Sequence, residues 1–84
     1  MSKDAPQPPK IQVNESGSHE PLAITHEGRW RRVDGILSRW RLDQEWWKRP
    51  TARDYFRVRL EGGIICEVFR DIPSGCWRLQ RVYD

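Results

Sequence analysis

The chain has 84 residues and carries 15 lysine and arginine side chains against 12 acidic ones, which gives a net charge of +3 at pH 7. A chain this short is expected to form one small domain, because buried surface falls faster than chain length. It contains no apolar run long enough to cross a membrane, and its first residues lack the apolar segment of a signal peptide. We therefore expect a cytoplasmic protein that makes no contact with a membrane.

The chain contains two cysteines, Cys66 and Cys76. Two are too few for a disulfide scaffold, and thiols stay reduced in the cytoplasm. We expect both to be free, with Cys66 packed inside as a small apolar side chain.

The composition divides the chain into two parts. Residues 1–20 are rich in proline and serine, and after Met1 their only sizeable apolar side chains are Ile11 and Val13. Such a segment buries too little apolar surface to offset the entropy lost on ordering, so we expect a disordered tail over residues 1–20. All five tryptophans and all twelve arginines lie within residues 29–81, where thirteen basic side chains accompany seven acidic ones. A cationic single domain over residues 21–84 is expected.

The clearest structural pattern lies in residues 55–60. Phe56, Val58 and Leu60 alternate with polar side chains, which is typical of a half-buried strand. The segment Glu61-Gly62-Gly63 then predicts a three-residue hairpin loop, because glycine readily adopts the left-handed conformation that such a loop needs.

This loop fixes the register of a first hairpin. A slip of one residue would bring a carboxylate onto the apolar face, so the register is strongly specified. The predicted pairs are Val58 with Cys66 and Phe56 with Val68 on the inner face, and Arg57 with Glu67 on the outer face.

A second hairpin is predicted around the turn-forming segment Asp71-Ile72-Pro73-Ser74. Its register continues the apolar face and places one carboxylate between two arginines. The predicted pairs are Val68 with Trp77, Cys66 with Leu79 and Glu67 with Arg78.

Residues 21–47 are open to two interpretations. His26-Glu27-Gly28 is typical of a hairpin loop, and alternate residues from Ile36 to Leu42 fit one face of a strand. The spacing of Trp30, Val33 and other apolar residues also fits a helix. Tryptophan and β-branched residues favour strands, and Gly35 weakens a helix, so we favour strands.

Residues 46–53 are predicted to form a loop, because Pro50 interrupts any regular structure there. The sequence as a whole predicts an all-β fold, a small antiparallel meander of about five strands resembling an SH3-like open barrel, preceded by the disordered N-terminal tail.

Catalysis is not expected, and neither a metal site nor a cofactor is predicted. Both histidines, His19 and His26, lie in or near the polar tail, and the cysteines lack the paired spacing of zinc ligands. The glycine pair at residues 62–63 is explained by turn chemistry, and the chain has no glycine-rich phosphate-binding loop.

Basic and aromatic side chains form the remaining candidate site. Guanidinium groups bind phosphate with two parallel hydrogen bonds, and aromatic rings stack on unpaired bases. The predicted nucleic-acid-binding residues lie on the outer sheet face and in the neighbouring loop: Tyr55, Arg57, Arg59, Phe69, Arg78, Trp46, Trp47, Lys48, Arg49 and Arg53.

A structural interpretation of these residues is equally open. Arg57 and Arg78 would then neutralise Glu67, and arginine stems would cover apolar surface. Trp46 and Trp47 would fill the core, although we expect one of these rings to be partly exposed.

A scatter of aromatic and arginine residues from Trp30 onward carries a family resemblance. Its segments are Trp30 to Arg41, Trp46-Trp47, Arg53 to Arg59, Val68 to Asp71, Gly75 to Leu79 and Arg81-Val82-Tyr83-Asp84. Over residues 21–84 the chain resembles a bacterial family of short domains of unknown function. Members occur alone or near translesion-synthesis polymerases, sometimes attached to an inactive polymerase-like protein. The resemblance implies a DNA-repair context, assigns no site residues, and makes Cys76 an unusual residue for its position.

Two functions follow as hypotheses. The first is an accessory module that contacts nucleic acid, either a single strand or a primer–template junction. The second is a protein-interaction module that docks a polymerase or its assembly factors through an aromatic patch that includes Trp46 and Trp47, together with an open sheet edge. Binding to phosphate weakens steeply with salt, whereas aromatic docking does not, so salt distinguishes the two.

Overall fold

A computed structural model describes residues 8–45 and 50–83, which form an antiparallel sheet of seven strands. The described residues contain no helix, and therefore no helix that could span a membrane. The predicted all-β fold is confirmed, and residues 21–47 follow the strand interpretation as far as they are described. The strands are β1 (Lys10–Ile11), β2 (Val13–Glu15), β3 (Pro21–His26), β4 (Arg29–Glu45), β5 (Pro50–Leu60), β6 (Ile65–Asp71) and β7 (Trp77–Tyr83).

The sheet curls until it is nearly closed. Its strand order is β1-β7-β6-β5-β4-β3-β2, so the two short N-terminal strands lie at opposite edges of the sheet although they are adjacent in sequence. β1 pairs with β7 and β2 pairs with β3, and the amide of Thr25 donates to the carbonyl of Gln12 between them. The N-terminal segment therefore joins the two edges of the meander into a small barrel.

The expectation of a disordered tail over residues 1–20 is wrong for the residues that form β1 and β2. Residues 10–15 form β1 and β2, and Ile11 and Val13 pack against the core. Two apolar side chains are sufficient here, because the backbone gains hydrogen bonds from two strands that already exist. Residues 1–7 lie outside the described residues.

The hairpin of β5 and β6 has the predicted register. Val58 lies opposite Cys66, Phe56 opposite Val68, and Arg57 opposite Glu67. Gly62 and Gly63 both have positive φ, 89° and 86°, which explains why glycine occupies the loop. The inner face of this hairpin, which includes Leu60, forms the centre of the core together with Ile24 and Trp77.

The predicted register of β6 and β7 is wrong by two residues near the turn. Val68 pairs with Leu79 rather than with Trp77, because the loop is longer than predicted and the amide of Asp71 donates to the carbonyl of Cys76. Gln80 is then an extra residue in β7, since Glu67 pairs with Arg81. The inward direction of Trp77 is retained, because a shift of two residues preserves the side-chain alternation.

The N-terminal hairpin has a two-residue turn at Glu27-Gly28, and both of these residues have positive φ. The predicted loop at His26-Glu27-Gly28 is therefore confirmed.

The predicted loop over residues 46–53 is wrong for residues 50–53, which belong to β5. Pro50 is tolerated because it is the first residue of the strand. Residues 46–49 lie outside the described residues.

Candidate nucleic-acid interface

The outer face of β5, β6 and β7 carries most of the predicted site. Side chains that point away from the core lie in rows that cross the strands. The rows are Arg53 with Asp71; Tyr55 with Phe69 and Arg78; Arg57 with Glu67 and Arg81; and Arg59 with Ile65 and Tyr83. Five arginines share this surface, which we call the cationic face: Arg53, Arg57, Arg59, Arg78 and Arg81.

Two carboxylates lie in the same rows, and both are already engaged. Asp71 accepts hydrogen bonds from the amide and the hydroxyl of Ser74 within the β6–β7 loop. Glu67 is buried and accepts from Arg57 Nη2 at 2.9 Å and from the hydroxyl of Tyr83. With five guanidinium groups against two carboxylates, the face keeps a net positive charge.

The environment of Glu67 favours its ionised form. The hydrogen bond from Tyr83 lowers the pKa of this carboxyl, and the hydrogen bond and charge of Arg57 lower it further, which outweighs the opposing effect of burial. The guanidinium of Arg57 also lies over the Tyr83 ring, 5.2 Å from its centroid. Arg57 is thus held in place by its neighbours and serves the structure, as the structural interpretation expected.

Two arginines of the cationic face remain available to a ligand. Arg59 and Arg81 are exposed, and neither forms an ion pair with a carboxylate in the part of the chain that is described. The guanidinium of Arg81 lies over the Tyr83 ring, 5.8 Å from its centroid. This contact orients the arginine side chain and uses none of its N–H donors. These two side chains are therefore the ones best suited to contact phosphate.

The other two arginines are partly committed to the protein. Arg78 does not neutralise Glu67, as the structural interpretation proposed, and instead donates to the carbonyl of Pro8 at 2.6 Å. Arg53 lies over the Phe69 ring at 4.6 Å and donates to the hydroxyl of Tyr55 at 3.3 Å. Their charges add to the field of the face although several of their donors are occupied.

The aromatic part of the prediction needs correction. Tyr55 and Phe69 lie on the outer face as expected, but they are only 8% and 1% exposed, so neither ring is free to stack on a base. They form a row with Trp40 of β4, which stacks parallel to Tyr55 at 5.4 Å and remains 40% exposed. The exposed ring of the row is therefore Trp40.

The structure brings together six of the ten predicted residues, namely Arg53, Tyr55, Arg57, Arg59, Phe69 and Arg78. The other four, Trp46, Trp47, Lys48 and Arg49, lie outside the described residues.

Sequence reasoning missed Trp40, Arg81 and Tyr83 as members of the site. The alternation from Ile36 to Leu42 put Trp40 on one face of a strand but did not indicate that this face is the outer one. The bulge between Ile36 and Ser38 also makes the shared face wrong for Ile36, which lies opposite the buried Val58. No comparable signal marked Arg81 and Tyr83, because their rows depend on the extra residue Gln80.

The two thiols differ in their exposure. Burial raises the pKa of the Cys66 thiol to about 11, which makes it a poor nucleophile. Both cysteines are free, as predicted, and Cys76 is partly exposed. Within residues 8–45 and 50–83, no group of three or more His, Cys, Asp or Glu side chains is placed to hold a metal ion.

The fold and the face together define a small antiparallel β-barrel domain with a cationic sheet surface. Comparison with protein-family models, curated proteins and solved structures gave no match to this chain.

Proposed function

We propose that this domain is an accessory binding module that contacts nucleic acid through its cationic face. The observation that carries the proposal is the convergence of five arginines on one side of the sheet, where the two neighbouring carboxylates are occupied by internal hydrogen bonds. Such a surface attracts the phosphate backbone regardless of sequence. The surface supplies charge and geometry for binding.

Arg59 and Arg81 make the primary phosphate contacts in this proposal. They lie on β5 and β7, on either side of β6, so they contact a backbone that crosses the sheet at two points. Their planar guanidinium groups donate two parallel hydrogen bonds to a phosphate. Arg57 contributes its charge between them while it stays bound to Glu67.

Trp40 supports a preference for single strands or for the single-stranded side of a primer–template junction. Its ring is held flat against Tyr55, so stacking a base on its exposed area costs little ordering entropy. An unpaired base gains about 1–3 kcal/mol from such stacking, and a paired base in a duplex is not free to make the contact.

The proposed biological context rests on the sequence resemblance alone. The sequence resemblance to short bacterial domains found near translesion polymerases supports a role in DNA repair or damage tolerance, in the cytoplasm, as part of this proposal. A small binding domain of this kind would then hold the template strand near a polymerase.

The proposal is tested by fluorescence anisotropy with a labelled oligonucleotide. The purified protein is titrated into single-stranded and double-stranded DNA of equal length at several salt concentrations. We expect stronger binding to the single strand, and a logarithm of affinity that falls linearly with the logarithm of salt concentration. Absence of binding at about 100 μM protein in low salt would refute the proposal, since even non-specific binders reach this affinity.

A second candidate, a protein-interaction module, is supported by Trp30. This ring is 52% exposed and borders an open hollow of about 770 Å³ between β1, β3 and β4. An exposed tryptophan beside a hollow is typical of a surface that docks another protein. In this second candidate the partner is a polymerase or one of its assembly factors. Binding through this surface would change little with salt, which separates it from the first candidate.

A further inference from the structure

Strand β4 is much longer than its neighbour on one side. It pairs with β5 from Val33 to Glu45, but β3 pairs with it only from Arg29 to Arg32. Beyond that point the other edge of β4 has no paired strand within the described residues. Its unpaired N–H and C=O groups form a template for another strand.

Only part of this edge is regular enough to accept a strand. Two bulges interrupt β4, between Val33 and Gly35 and between Ile36 and Ser38, and bulges disturb strand pairing. From Ser38 to Glu45 the pairing with β5 is continuous. Residues 38–45 also contain neither lysine nor proline, the residues that commonly protect an edge.

The regular segment exposes apolar side chains. Trp40 and Leu42 lie opposite Tyr55 and Arg53 on the outer face, and Leu42 is 37% exposed. A strand added to this edge would place its own side chains directly beside them.

The charge pattern of the segment is complementary to that of a second, antiparallel copy of the same segment. It reads Arg39-Trp40-Arg41-Leu42-Asp43-Gln44-Glu45, with two cations before Leu42 and two anions after it. Antiparallel pairing of two copies about Leu42 sets Arg41 opposite Asp43 twice. Pairing about position 41 would set the two Arg41 side chains opposite each other, and pairing about position 43 would do the same for Asp43. Pairing about Leu42 has an apolar pair at its centre and is therefore favoured.

We propose that the chain forms a two-fold symmetric dimer in which residues 39–45 of β4 pair antiparallel with the same residues of a second copy. Arg41 already binds Asp54 at 3.0 Å, and in the dimer its guanidinium lies between Asp54 and the Asp43 carboxylate of the other copy. Each copy contributes the same residues to the interface, as a two-fold symmetric dimer requires.

The dimer has a consequence for the cationic face. Side chains opposite each other on paired strands point to the same side of a sheet. The two cationic faces therefore lie on one side of a continuous sheet and form a surface twice as long. The dimer itself is independent of whether that surface binds nucleic acid.

Sedimentation equilibrium of the full chain tests the proposal. We expect a concentration-dependent shift from 10.0 kDa toward twice that mass between about 1 and about 100 μM. Leu42→Lys places two like charges at the centre of the interface and should leave a monomer. The matched control is Leu22→Lys, which changes a similarly exposed leucine outside residues 39–45 and should leave the dimer intact.

A charge exchange tests the register. Asp43→Arg and Arg41→Asp each create like-charge pairs in their own homodimers, so each variant alone should sediment as a monomer. Mixed together they restore two opposite-charge pairs and should give a heterodimer. A wild-type monomer at about 100 μM, a dimer unaffected by Leu42→Lys, or an equal mixture that stays monomeric would each overturn the proposal.

Discussion

The indole Nε1 of Trp77 donates a hydrogen bond of 3.0 Å to the carboxylate of Glu15, which lies 62 residues earlier in the chain. The same carboxylate accepts from His19 Nδ1 at 2.9 Å and lies 3.8 Å from Arg70 Nε. These contacts attach the N-terminal strands to the end of the barrel. Burial opposes ionisation of Glu15, but the hydrogen bonds from His19 and Trp77 and the charge of Arg70 outweigh it and lower its pKa.

Glu15→Gln should loosen this attachment. We expect the free energy of unfolding to fall by about 1 kcal/mol, because a charge-assisted hydrogen bond becomes a neutral one. The indole proton of Trp77 should also exchange faster with solvent, as measured by NMR. Glu27→Gln is the control, since this carboxylate is exposed on the β3–β4 turn, and a loss of stability as large as that of Glu15→Gln would contradict the assignment.

Glu67 should make stability depend on pH. A carboxyl whose pKa is lower in the folded state stabilises the fold above its ordinary value of 4.5, and this contribution is lost as the pH falls through the folded pKa. We expect the free energy of unfolding of the wild type to decrease between about pH 6 and about pH 3. Glu67→Gln should be less stable at neutral pH and should show a smaller decrease. Identical pH profiles for the two proteins, measured by urea denaturation, would refute this role.

The two cysteines should react very differently with a thiol reagent. Cys66 is fully buried with a raised pKa, whereas Cys76 is partly exposed. We expect one thiol to react rapidly in the native protein and two in denaturant. Cys76→Ser should abolish the rapid reaction, while Cys66→Ser should retain it. A rapid reaction of the Cys76→Ser protein under native conditions would show that the barrel opens at β6.

Phe56 should contribute the most to core stability. It is 1% exposed and packs against Trp77, with ring centroids 5.6 Å apart, while the guanidinium of Arg39 covers its ring at 5.0 Å. Phe56→Ala should lower the free energy of unfolding by about 3–5 kcal/mol, and Phe56→Leu by less because it leaves a smaller cavity. Leu22→Ala, at an exposed position, should change it by less than about 0.5 kcal/mol. Calorimetry or urea denaturation measures all three.

Local pattern was sufficient to predict the β5–β6 hairpin. The alternation from Tyr55 to Leu60 and the two glycines at residues 62–63 determine strand, turn and register together, and each depends only on neighbours in sequence. The same alternation placed Arg57 and Arg59 correctly on the outer face.

The errors concern features that depend on distant partners. Residues 10–15 become strands because the edges of β3 and β7 are available to them, and the composition of that segment gives no sign of this. The membership of Arg81 in the cationic face depends on the extra residue Gln80, and a bulge has no clear sequence signature. Tyr55 and Phe69 were correctly placed on the outer face, but alternation alone does not reveal how deeply a side chain on that face is buried.

The central claim is that the cationic face binds the phosphate backbone, and the salt dependence of binding by a double variant tests it most directly. Arg59→Ala/Arg81→Ala removes the two available guanidinium groups and leaves the Arg57–Glu67 pair intact. It is compared with Arg29→Ala/Arg32→Ala, which removes the same charge from exposed positions of β4 outside the face.

We expect Arg59→Ala/Arg81→Ala to keep its thermal stability and to bind single-stranded DNA at least tenfold more weakly. The slope of log affinity against log salt concentration should fall in magnitude by about 1.4, which is about 0.7 for each lost phosphate contact. The second variant should retain most of the wild-type slope. Equal losses in the two variants, or no loss in the first, would contradict the account.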